Sequence, residues 1–92
     1  MAGRALRGRV YGRVQGVGFR YYTQMTARHL GVTGWVRNRM DGSVEVYAQG
    51  DRQALESFEA YLRDGPPSAH VDRADIRYVD TDDTFDSFSV RG

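Results

Sequence analysis

Apolar and polar positions alternate from Leu6 to Val14, with Leu6, Gly8, Val10, Gly12 and Val14 on one face. Arg7, Arg9 and Arg13 fill much of the other face. A period of two predicts a half-buried strand. It runs into Gln15-Gly16-Val17-Gly18, a loop by its glycines. The period then lengthens: Phe19, Thr23, Ala27 and Leu30 fall on one side of a helix, and Gly31 supplies its stop. Trp35-Val36-Arg37 and Val44 to Ala48 read as two short strands, and Asp41-Gly42 between them signals an antiparallel hairpin. Asp51 is placed to cap a second helix, whose apolar stripe is Ala54, Leu55, Phe58, Tyr61 and Leu62. Gly65-Pro66-Pro67 ends that helix. Two more strands are predicted, near Val71 to Val79 and Phe85 to Val90, joined by an acidic turn over Asp80 to Thr84.

The resulting order is β-α-β-β-α-β with one extra C-terminal strand. It predicts an α+β fold on the ferredoxin-like plan, an antiparallel sheet with both helices on one face. Fold alone leaves function open, because this plan hosts enzymes, RNA readers and metal carriers.

Composition narrows the chemistry. The chain has 92 residues, 40% hydrophobic and 27% charged, which suits one globular domain over residues 1–92 with a core from about 5 to 91. All 13 basic residues are arginine, so lysine Schiff bases and the P-loop lysine are excluded. The absence of cysteine excludes disulfides, thiolate catalysis and cysteine-ligated metals. A net charge of +1 gives no overall field that points to nucleic acid or membrane. No apolar run approaches the roughly 18 residues of a membrane span, and Met1 to Arg7 lacks the apolar stretch of a signal peptide. A cytoplasmic monomer is the expectation.

Chemistry concentrates in Gly12-Arg13-Val14-Gln15-Gly16-Val17-Gly18-Phe19-Arg20. The segment joins a strand to a helix N-terminus, where free N–H groups and the helix dipole favour an anion. Glycines let successive N–H groups converge, and the Arg20 guanidinium in the first helical turn can bind the same anion in a fork. The segment lacks the lysine of a Walker loop and the context of a dinucleotide fingerprint, which disfavours nucleotides. Alone, such a loop also fits a plain turn beside a solvated arginine. A second segment, Gly31-Val32-Thr33-Gly34-Trp35-Val36-Arg37-Asn38, is expected to pair near the first strand and bring Asn38 to the loop. There its carboxamide, both donor and acceptor, could fix a water in line with a bound phosphorus; alone, Asn38 also fits a plain turn residue close to Asp41-Gly42.

Taken together, Gly12-x-Val14-Gln15-Gly16-Val17-Gly18-Phe19-Arg20 and Gly31-x-x-Gly34-x-Val36-x-Asn38 resemble the two signatures of the acylphosphatase family. The resemblance extends over the length, the element order and the Gly65-Pro66-Pro67 break. It implies hydrolysis of the carboxyl–phosphate bond of acyl phosphates, without cofactor or metal. It further implies that Arg20 is the phosphate-binding catalytic arginine and that Asn38 positions the attacking water. The backbone N–H groups of Gln15, Gly16, Val17, Gly18, Phe19 and Arg20 would supply the remaining donors. The partners implied are small molecules, an acyl phosphate and inorganic phosphate, rather than nucleic acid or membrane.

The residues are consistent with that substrate. Neither motif contains Asp, Glu, His, Cys or Lys, so the site offers no obvious general acid, base or nucleophile. An alkoxide leaving group needs such help; an acyl phosphate releases a carboxylate whose conjugate acid has a pKa of about 4.

The remaining candidates read as structural. His29 and His70 show no metal spacing, His29 sits near a helix end, and Asp80, Asp82, Asp83 and Asp86 form a solvated turn. Of Tyr21 and Tyr22, one is expected to pack and the other to line the pocket mouth; Trp35 is expected on a sheet face or in the core. Arg37 and Arg39 read as solvated surface charges. Two competing functions are an RNA-binding ferredoxin-like module, which lacks the expected RNP pattern, and a non-catalytic anion-binding domain.

Overall fold

The computed structural model of the chain describes residues 3–92. Met1 and Ala2, which open both the 1–92 domain and the segment read for a leader, lie outside the described residues. Strand β1 spans Gly3–Arg13, helix α1 Phe19–Leu30, β2 Thr33–Asn38, β3 Val44–Gln49, α2 Arg52–Asp64, β4 His70–Thr81 and β5 Phe88–Arg91. The strands form one sheet in the order β4-β1-β3-β2-β5.

Sequence period explains the layers. In β1, Leu6, Gly8 and Val10 are buried beneath the helices while Arg7 is exposed and Arg9 half-exposed on the opposite face. Helix α1 buries Phe19, Thr23 and Ala27, and α2 buries Leu55, Phe58 and Leu62. These are the predicted stripes, and they join Val36, Val44, Val46 and Phe88 in one core. Phe58 is fully buried and meets Phe88 edge-on at 5.8 Å between centroids; emptying such a site to alanine typically costs about 3–5 kcal/mol. The predicted caps also form. Gly31 is left-handed, its N–H turned back to the Ala27 and Arg28 carbonyls, and Asp51 accepts from the Ala54 N–H at 2.8 Å.

Three expectations need correction. The sheet is mixed rather than antiparallel, because β5 pairs parallel with β2. The direction of β5 follows from its connection. Residues 82–87 carry the chain from the β4 edge to the opposite edge, and Phe85 packs edge-on against Tyr47 at 5.6 Å. Tyr47 also donates to Thr81 Oγ1 at 2.7 Å, so the crossing covers a ring that would otherwise face solvent.

Second, β2 does not pair with β1. Strand β3 lies between them, antiparallel to both, with Val10, Val44 and Asn38 in one cross-sheet row. Third, β1 ends at Arg13, so Val14 leaves the ladder while staying buried. A register shift between Tyr11 and Gly12 precedes that exit, and such a bulge bends the strand. Strands β1 and β2 therefore run parallel, and their C-termini lie at one end of the sheet, the edge formed by strand ends.

Candidate active site

That shared edge gathers both motifs. Val14 to Gly18 turn from β1 into α1, and Asn38 is the last residue of β2. Gly16 and Gly18 have φ of 74° and 77°, a left-handed backbone that a side chain would strain. Gly18 is the N-cap of α1 and offers no side-chain bond, and the first turn holds no acidic residue. The opening amides of α1 consequently have no side-chain acceptor, at the positive end of the helix dipole.

A cavity of about 270 Å³ opens onto these residues, lined by Val14, Gly16, Gly18, Phe19, Arg20, Tyr21, Gln24, Asn38 and Val90. Arg20 and Asn38 thus share one hollow. Among the described residues, no carboxylate lies within ion-pairing distance of Arg20. Asn38 Oδ1 is buried and has no hydrogen-bond partner among them. An unsatisfied buried acceptor costs about 1–3 kcal/mol, so its retention calls for a use.

The neighbouring elements fix the cradle from outside. Ser68 Oγ donates to the Val17 carbonyl at 2.6 Å, tying the loop to the α2–β4 connection. Gln15 Nε2 donates to the carbonyls of Arg39 and Ser43 at 2.7 and 2.9 Å, tying it to the β2–β3 turn. In that turn Asp41 Oδ1 accepts from the Ser43 N–H at 2.9 Å and from its hydroxyl at 2.5 Å. Those bonds hold the Asp41 carboxyl below the usual carboxylate range. Gly34 in the second motif serves the backbone: at φ 139° it faces Ala48 so closely that a Cβ would run into the Tyr47 carbonyl.

Side chains read as bland divide on inspection. Tyr21 and Tyr22 are both exposed and meet edge-on at 5.6 Å; Tyr21 lines the cavity, and neither packs into the core, contrary to expectation. Trp35 lies on the sheet face as expected, stacked on Tyr47 with Arg37 and Arg91 over its ring. Arg37 and Arg39 keep solvent contact as expected and in addition bond to Glu45 at 2.7 and 2.8 Å, while Arg9 approaches the same carboxylate at 4.0 Å. Partial burial pushes the Glu45 carboxyl up, but the bonds and charges of Arg37 and Arg39 outweigh it and hold it below its ordinary value. The cross-strand register sets Glu45 opposite both Arg9 and Arg37, a pairing that the Asp41-Gly42 hairpin signal made available. His29 is exposed in the last turn of α1. No group of three or more His, Cys, Asp or Glu among the described residues is placed to hold a metal ion. Likewise no described helix is long and apolar enough to cross a membrane.

A wider hollow of about 620 Å³ lies elsewhere, lined by residues including Arg7, Arg9, Glu45, Asp75 and Arg77. No residue of the loop from Val14 to Arg20 reaches it, and it has no helix N-terminus. The smaller cavity is the one where the motifs meet.

Comparison with known proteins supplies the family. The acylphosphatase family model matches residues 6–90. The chain belongs to the acylphosphatase family. It is 51% identical over 83 residues to the acylphosphatase of Salinibacter ruber, covering 90% of this chain and 87% of that one. The crystal structure of acylphosphatase from Bacillus subtilis superposes with a TM-score of 0.92 at 39% identity, over 97% of this chain and 99% of the other. An acylphosphatase structure from Coxiella burnetii gives 0.90 at 33% identity, over 97% and 94%. Membership of this family makes the chain a hydrolase, and the solved relatives share its α+β ferredoxin-like fold.

Proposed function

We propose that the chain hydrolyses acyl phosphates by holding the phosphoryl group at the start of α1 and aiming a water at it from Asn38. The amides of Gln15, Gly16, Val17, Gly18, Phe19 and Arg20 take phosphoryl oxygens, and the Arg20 guanidinium binds two of them in a fork. Asn38 Oδ1 accepts a hydrogen bond from the water, whose oxygen lone pair then faces phosphorus. A P–O bond forms to the water oxygen while the bond from phosphorus to the acyl oxygen breaks. The electron pair leaves on the carboxylate, and both water protons end on the phosphate, giving R–CO₂⁻ and H₂PO₄⁻ from R–CO–O–PO₃²⁻ and H₂O. Positioning and charge stabilisation carry the step, as phosphoryl transfer requires.

The observation that carries this reading is the pairing in one cavity of an α1 N-terminus lacking a side-chain cap with the buried, unpartnered Asn38 Oδ1. A neutral carboxamide suits that position better than a carboxylate, which would repel the bound polyanion. Loss of benzoyl phosphate, followed in the presence of a chelator, tests it. Rapid hydrolysis is expected from the wild type. Arg20→Ala is expected to lose phosphate inhibition and turnover together, by about a hundredfold or more. Asn38→Ala is expected to keep phosphate inhibition while turnover falls sharply. Phosphate binding, read by direct titration, without hydrolysis by the wild type would instead indicate an anion-binding module. Loss of phosphate inhibition in Asn38→Ala alone would contradict the division of roles.

A further inference from the structure

We infer that the side chain of Gln15 is a positioning residue that sets Asn38 relative to the phosphate loop. This rests on the water-orienting role proposed for Asn38. Gln15 belongs to the loop through its backbone, yet its carboxamide points away to the β2–β3 turn. Nε2 donates to the carbonyls of Arg39 and Ser43, 24 and 28 residues further along the chain. Arg39 directly follows Asn38, and its own N–H returns to the Ser43 carbonyl at 2.8 Å. The amide nitrogen therefore closes the neck of the hairpin immediately after the water-bearing residue.

Strand pairing leaves a need for such a bond. Strand β3 separates β1 from β2, so no ladder joins the two strands whose ends carry the loop and Asn38. Sheet spacing puts those strands about 10 Å apart. Gln15 is the side chain that spans the gap from loop to turn. Its residue type follows from the acceptors it serves. Two carbonyl oxygens require two hydrogens on one terminus, and a carboxamide NH₂ supplies both. A carboxylate of the same shape would set acceptor against acceptor, and an aliphatic chain would leave the Arg39 and Ser43 carbonyls only the turn's own N–H donors, Gly42 and Arg39, with no bond to the loop. An error of about 1 Å in a reacting group can cost about a hundredfold in rate, so a tether to Arg39 bears on catalysis without touching substrate.

The test is a double-mutant cycle on kcat for benzoyl phosphate, with the inhibition constant for inorganic phosphate measured on every variant. Gln15→Leu is expected to lower kcat tenfold or more while the phosphate constant stays within about twofold. That second value shows that fold and cradle persist. Gln15→Glu, which keeps the shape, is expected to lose at least as much. In the Asn38→Ala background, Gln15→Leu is expected to add little or nothing, because what it positions is already gone. Losses that multiply across the two sites would overturn the inference, as would a phosphate constant that rises in step with the fall in kcat. Full turnover by Asn38→Ala alone would contradict the water-orienting role beneath it, and that single variant reports this separately.

Discussion

The junction from β1 into α1 and the junction from β3 into α2 hold equivalent places in the two βαβ halves, yet they finish their helices differently. At α2 the N-cap Asp51 has an extended backbone, φ −70° and ψ 165°, and its carboxylate accepts from Ala54. At α1 the N-cap Gly18 is left-handed, φ 77° and ψ 15°, with no side chain to turn back. One helix satisfies its positive end with its own anion, and the other leaves that end without a side-chain acceptor, which is where the proposed function puts the phosphate. Both first turns carry an arginine, Arg20 in α1 and Arg52 in α2. Arg52 pairs with Glu56 one turn on at 3.1 Å, whereas Arg20 faces the cavity with no carboxylate in reach among the described residues. On the proposed function, the same element serves as scaffold or site according to whether its terminus is closed.

The largest effect expected on that contrast comes from giving α1 a fixed negative charge. Gly18→Asp sets a carboxylate beside the loop; the left-handed position strains any side chain, aspartate less than most. It is expected to weaken phosphate binding tenfold or more, equivalent to about 1.4 kcal/mol, as titration of phosphate inhibition would show. Unchanged affinity would mean that the α1 terminus is not where phosphate binds.

The converse change is milder and of another kind. Asp51→Ala is expected to cost about 1 kcal/mol of stability by removing a helix cap, measured by urea denaturation, with kcat unchanged. A fall in kcat at intact stability would erase the distinction between the two junctions.

The smallest effect concerns Glu45, which supports the strands behind Asn38. Its folded carboxyl lies below its ordinary value of 4.5, so the stability it contributes is present above that value. It is lost as pH falls through the lower folded value. Glu45→Gln is therefore expected to lower the melting temperature at pH 7, and the gap to wild type is expected to close as pH falls below the ordinary carboxylate value and through the lower folded one. A gap independent of pH would show that charge at Glu45 is not what holds Arg37 and Arg39.

Much of the scaffold was legible because period and punctuation agree. The stripes of α1 and α2, the Gly31 stop and the Asp51 cap are local features, each set by residues within a turn or two. The loop stood out only beside the second motif, since alone its glycines and Arg20 also fit a plain turn. What escaped was non-local. The direction of β5 depends on how residues 82–87 cross the sheet end and cover Tyr47, which alternation along the strand does not encode. The parts played by Gln15, Ser68 and Glu45 depend on tertiary neighbours 24 or more residues away for Gln15 and 51 for Ser68, and on strand register for Glu45. Tyr21 follows the buried Phe19 by two positions, which turns its ring out of the core stripe, whereas the exposure of Tyr22, three positions on, does not follow from spacing.

The most direct test of the open-terminus account is a titration of inorganic phosphate followed by the backbone amide resonances of both helix N-termini. The account expects saturable shifts at Gly16 to Arg20, with the amides from Arg52 to Leu55 unmoved. Shifts of equal size at both termini, or none at Gly16 to Arg20, would contradict it.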